Sequence, residues 1–200
     1  MNKNVLPLPY IVFAPVVADI KAGTSTARYL GAGSESRVWQ VTQDGAGYAV
    51  KIANAVSLRG RPRNTYAATA QKISVGLRGL GIAGLEQLQT GSPEDGAVVY
   101  DFVCGVRVSE MTDAIAQLVT PRHLEGLWKT VAAATVAGIE FDGWNDKGEN
   151  AFFCPRRGFT LIDYQAAENI TFEQNMKFVT RSLGHLGTRL CGELQRPADL

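Results

Sequence analysis

The chain has 200 residues, enough for one domain or two small lobes, and its 46% hydrophobic content suits a buried core. A net charge of +1 excludes a bulk basic field for nucleic acid or an anionic membrane surface, and no apolar run reaches the length of a spanning helix. Cys104, Cys154 and Cys191 stand far apart with no Cys-x-x-Cys pair, which argues against a disulfide framework or a structural metal and for a reducing compartment.

Residues 1–28 are apolar but interrupted by Pro7, Pro9 and Pro15. They read as an extended arm and lack the ordered regions of a cleaved signal peptide. Residues 29–53 read as strands with glycine turns: Val38, Gln40 and Thr42 alternate with Trp39 and Val41 at period two. Residues 54–63 read as a loop whose Arg59, Arg61 and Arg63 are solvated, and residues 64–80 as a helix capped by Asn64. Residues 83–91 and 96–105 read as two strands joined by a turn at 92–96. A short helix over 109–119 has Ser109 as its cap. Pro121 opens a longer helix with Leu124, Leu127, Trp128, Val131 and Ala134 on one buried face. Residues 148–153 and 158–165 form a hairpin around Pro155 to Gly158, and a last helical segment runs from Thr171 to about Leu194. His123 and His185 read as surface or capping residues, and Trp39, Trp128 and Trp144 as core. The plan is α+β, with residues 1–104 as an N-terminal arm and sheet lobe and residues 105–200 as a smaller, mainly helical one.

Two constellations carry chemistry. In the first, Gly31 and Gly33 let the backbone come close to an anion with no Cβ in the way, and Lys51 stands in an apolar strand thirteen residues after Val38. By itself this also fits a plain glycine hairpin with a surface lysine. In the second, Asn150 and Asp163 stand thirteen residues apart at the two ends of a hairpin, as oxygen ligands for Mg²⁺ would.

The sequence from Tyr29 to about Gln165 resembles the protein-kinase-like family: "GAGSES" followed by Arg37-Val38, "YAVK", "VVYDFVCG" as a hinge, "KGEN" and "IDY" occur in the family's order. The resemblance implies a reduced two-lobed protein-kinase-like fold with a nucleotide between sheet and helices, and ATP and Mg²⁺ as cofactors. Gly31, Ala32, Gly33, Ser34 and Ser36 would cover the phosphates, Val38 would pack on the adenine, and Lys51 would hold the phosphates by charge. Asn150 and Asp163 would hold the metal, and Lys147 falls where catalytic loops carry a lysine. The departures are informative. Residues 55–80 contain no acidic side chain to pair Lys51, and Gln71 takes that position; Ser36 replaces the third glycine. The base aspartate is either Asp146, which needs the smaller loop change before Asn150, or Asp142, which fits better when counted from the preceding helix. Only 37 residues follow Asp163, with no Ala-Pro-Glu anchor.

Such economy resembles the small type III effector kinases of pathogenic bacteria. That likeness implies a serine/threonine kinase secreted into the host cytoplasm, with a host protein as substrate. The type that phosphorylates the host ninety-kilodalton heat-shock chaperone fits best, ahead of the effectors activated by ubiquitin-loaded conjugating enzymes. Two rival readings are a pseudokinase-like binding module and an antibiotic-type small-molecule kinase. The second is disfavoured because residues 165–200 carry only four acidic side chains, Glu168, Glu173, Glu193 and Asp199, to hold a polyamine.

Overall fold

The computed structural model describes residues 8–33, 36–54, 82–141 and 148–184. The expected helix at 64–80 lies outside them, as do Ser34, Gln71, Asp142, Trp144, Asp146, Lys147 and His185. The chain divides into two compact units, residues 1–75 with 87–102 and residues 76–86 with 103–200.

The first unit is built on an antiparallel sheet of order β1-β2-β3-β5-β4. Its strands are β1 (Arg28–Ala32), β2 (Ser36–Gln43), β3 (Ala46–Ala53), β4 (Leu88–Ser92) and β5 (Ala97–Asp101). Period-two alternation gives the sheet two apolar faces. Tyr48, Val50, Ile52 and Val99 pack on one, with Phe13, Val17 and Ile20. Ala49, Val98, Tyr100 and Leu88 pack on the other, with Val38 and Phe102 against them.

The N-terminal segment is not the expected extended arm. A 3₁₀ turn at Tyr10–Val12 leads into helix α1 (Ala14–Ala22), whose Val17 and Ile20 are buried. Pro15 lies in the first turn of α1, where a proline removes only an N–H that has no intrahelical partner and pre-sets φ, so it starts the helix instead of breaking it. The turn between β4 and β5 fastens this segment: the Tyr10 hydroxyl donates to Asp95 Oδ2 at 2.8 Å and Lys21 Nζ to Oδ1 at 2.6 Å.

In the second unit, strands β6 (Val106–Arg107), β8 (Ala151–Cys154) and β9 (Gly158–Leu161) form a sheet of order β6-β8-β9, while β7 (Ile139–Phe141) pairs with β10 (Tyr164–Ala166). The helices are α2 (Asp113–Ala116), α3 (Pro121–Val136) and α4 (Phe172–Leu183). α3 begins at Pro121 as the sequence predicts, with Thr120 N donating to His123 Nδ1, so His123 does cap a helix. Leu124, Leu127, Val131 and Ala134 are buried, but Trp128 is only half-buried, against Phe172, and Thr130 completes the buried face. Ser109 does not cap α2. It belongs to a tight turn at Val108–Glu110 anchored by the fully buried Val108, and the N-cap position falls to Thr112. Thr171 caps α4 through a reciprocal pair with Gln174.

Residues 82–86 run beside β9. Leu161 N donates to Gly84 O at 2.8 Å, Glu86 N donates to Leu161 O at 2.9 Å, and the Thr130 hydroxyl reaches Ala83 O at 2.8 Å. Among the described residues no helix is long and apolar enough to cross a membrane.

Candidate functional site

In the first unit, β1 and β2 flank the glycine turn, and a bulge interrupts β1 between Tyr29 and Gly31. Gly33 N donates to Ser36 O at 2.8 Å, so this amide closes the turn and is not offered to an anion. A Cβ at Gly31 would meet nothing within 4 Å, and one at Gly33 would meet only Ser36 O at 3.9 Å. Among the described residues, side chains leave both glycines uncovered. Ser36 is buried, Ala32 exposed.

Val38 pairs with Lys51 in register, which puts both on the sheet face that carries Ala49 and Tyr100. Lys51 is 7% exposed, not the surface lysine of a plain hairpin. Its Nζ stands 4.4 Å from the Tyr100 ring centroid, a cation–π contact in a desolvated setting. At the end of β5, desolvation pushes the Asp101 carboxyl above its usual value, and a hydrogen bond from Gln89 Nε2 at 2.7 Å offsets part of the rise.

In the second unit, β8 and β9 bring Asn150 and Asp163 to one end of their hairpin. Ala151 pairs with Leu161, and Ile162 N donates to Asn150 O at 2.9 Å. Asp163 is exposed and adopts a φ of 57°, a left-handed conformation that non-glycine residues keep only where neighbouring structure holds it. An amide oxygen and a carboxylate are hard donors that suit Mg²⁺, with phosphate and water oxygens completing its shell. Among the described residues no three His, Cys, Asp or Glu side chains gather as metal ligands. The segment 142–147, which carries both base candidates, leaves β7 at Phe141, opposite Tyr164. It returns at Gly148, whose carbonyl accepts Ser109 N at 3.1 Å.

Sequence reasoning missed Tyr100 and Tyr164. Tyr100 was legible from β5 alternation, two residues past Val98 on the Lys51 face. Tyr164 directly follows Asp163, and its hydroxyl donates to Glu86 O at 2.6 Å, a long-range bond with no local signal.

These elements make an α+β, reduced two-lobed fold of the protein-kinase type, as expected from the glycine turn, Lys51 and the Asn150–Asp163 hairpin. A solved structure of a pseudokinase in its apo form is similar, with a TM-score of 0.58 and 13% identity over 90% of this chain and 70% of that one. In all, 593 solved chains match, too many for fold alone to select one activity. No protein-family model and no curated protein matches the chain.

Proposed function

We propose that the chain is an ATP- and Mg²⁺-dependent kinase acting on a protein serine or threonine. The observation that carries this reading is the placement of Asn150 and Asp163 at one hairpin end, with Asp163 held at a φ of 57°. Buried Lys51 supports it from the first unit. Gly31, Ala32, Gly33, Ser34 and Ser36 would cover the phosphates, Val38 would pack on the base, and Lys51 would neutralise phosphate charge with Gln71 orienting its ammonium. Asn150 and Asp163 would hold Mg²⁺, which when bound neutralises charge on the phosphate oxygens. Asp146 or Asp142 would take the proton of the acceptor hydroxyl as its oxygen bonds to the γ-phosphorus and ADP departs. Positioning and charge neutralisation do most of the work in phosphoryl transfer, so a small scaffold suffices.

The substrate and setting follow from sequence resemblance: a host protein, with the ninety-kilodalton heat-shock chaperone first to be tried, met after secretion into the host cytoplasm. Lys51→Ala and Asp163→Ala should each abolish transfer of labelled phosphate to a eukaryotic lysate while leaving the unfolding midpoint within a few degrees. Wild-type transfer by both variants would refute the assignment. A second reading, a pseudokinase-like binding module, is favoured by Gln71 in place of an acid and by the similarity to a pseudokinase. It predicts partner capture with no labelled product.

A further inference from the structure

We infer that Tyr164 is a positioning residue for Asp163: its hydroxyl, tied to the Glu86 carbonyl, fixes the backbone of the aspartate assigned to the metal. This rests on the kinase reading above. A left-handed backbone at Asp163 is strained and persists only if the chain is held on both sides. On the near side, Leu161 is bonded through both its N–H and its carbonyl to the strip at 84–86, at 2.8 and 2.9 Å, and Ile162 N donates to Asn150 O. On the far side, Tyr164 pairs with Phe141, and its hydroxyl returns to the same strip, donating to Glu86 O at 2.6 Å. One strip, Gly84 to Glu86, therefore brackets Asp163 from before and after. A phenylalanine at 164 would keep the ring but lose the closing bond. The carboxylate of Asp163 then has one backbone direction from which to meet a cation.

The test is Tyr164→Phe, read by calorimetric titration of Mg²⁺ into the protein with a non-hydrolysable ATP analogue, and by amide exchange. The expected result is unchanged analogue affinity without Mg²⁺, within about twofold, and an Mg²⁺ midpoint raised about tenfold, the size of one lost hydrogen bond. Amides of Ile162 to Tyr164 should exchange faster with no nucleotide present. In steady-state kinetics kcat should fall at subsaturating Mg²⁺ with KM for ATP little changed. Thr171→Ala, which removes the cap bond to Gln174 N, is the control: it loses comparable stability and keeps the wild-type Mg²⁺ midpoint. A wild-type midpoint in Tyr164→Phe, or equal shifts in both variants, overturns the inference alone. A wild-type protein whose analogue binding ignores Mg²⁺ overturns the kinase reading and the inference with it.

Discussion

Asn175→Ala should be a severe substitution in the second unit. Asn175 is 1% exposed on α4, and its amide joins three elements. Its Nδ2 donates to Thr135 Oγ1 at 2.9 Å on α3 and to Ile139 O at 2.8 Å on β7; its Oδ1 accepts Phe141 N at 3.1 Å. Thr135 keeps a bond to Val131 O, so alanine costs it little. The Ile139 carbonyl and the Phe141 amide lose a buried partner each, at about 1–2 kcal/mol apiece, and the vacated volume adds about 1 kcal/mol. The sum, about 3–5 kcal/mol, is a large part of the roughly 5–15 kcal/mol that holds a typical domain. With a urea slope of about 2 kcal/mol/M, the unfolding midpoint should fall by about 1.5–2.5 M. Asn175→Asp retains an acceptor for Phe141 N but sets a carboxylate oxygen against the Ile139 carbonyl, so at neutral pH it should be no better than alanine. Equilibrium urea unfolding followed by circular dichroism checks both. A midpoint shift below about 0.5 M for Asn175→Ala would refute the reasoning that this amide, and not apolar packing alone, secures β7.

Gly84→Ala drives a methyl into Thr130 Oγ1 at a φ of +83°, and should cost about 2–3 kcal/mol. Adding Thr130→Ala should recover the steric part in a double-mutant cycle, and strict additivity would disprove the clash. Lys21 first and Tyr10 second hold the Asp95 carboxyl below its usual value. The stabilisation from Asp95 is therefore full above the unfolded carboxylate value and fades as pH falls through the lower folded one. Asp95→Asn should cost about 0.5–1 kcal/mol at pH 7, modest because both partners are substantially exposed, and the gap to wild type should begin to narrow as pH falls below about 4. A gap that stays constant from neutral pH through the acid range would contradict this. Tyr100→Leu removes the ring from the Lys51 ammonium and should weaken binding of an ATP analogue about five- to tenfold, while Tyr100→Phe keeps most of it. Equal binding by the two variants, measured by calorimetry, would deny the ring its role.

Features governed by local chemistry were open to sequence reasoning. Alternation from Val38 to Thr42 marked β2, and the strand reading of residues 29–53 covered β1 to β3. Pro121 and Thr171 marked two helix starts because proline and threonine favour those positions for backbone reasons alone. The hairpin around Pro155 to Gly158 carried its own turn signal, so Asn150 and Asp163 could be paired before any coordinates. The failures share one cause: tertiary partners outweighed local cues. Pro7, Pro9 and Pro15 suggested an irregular arm, yet Phe13, Val17 and Ile20 had helical spacing and an apolar sheet face to cover. Ser109 had the right chemistry for a cap, but burial of Val108 drew it into a tighter turn. The bond from Tyr164 to Glu86 spans 78 residues and left no local trace.

The helix that precedes the sheet bears on how this protein is handled. Shortening the chain to begin at the first strand would strip the lid from Val41, Tyr48, Val50, Ile52 and Val99, laying bare a continuous greasy plane. Such a trimmed version should clump during expression even with Lys51, Asn150 and Asp163 intact, so solubility would be lost through a segment that carries none of the candidate site residues.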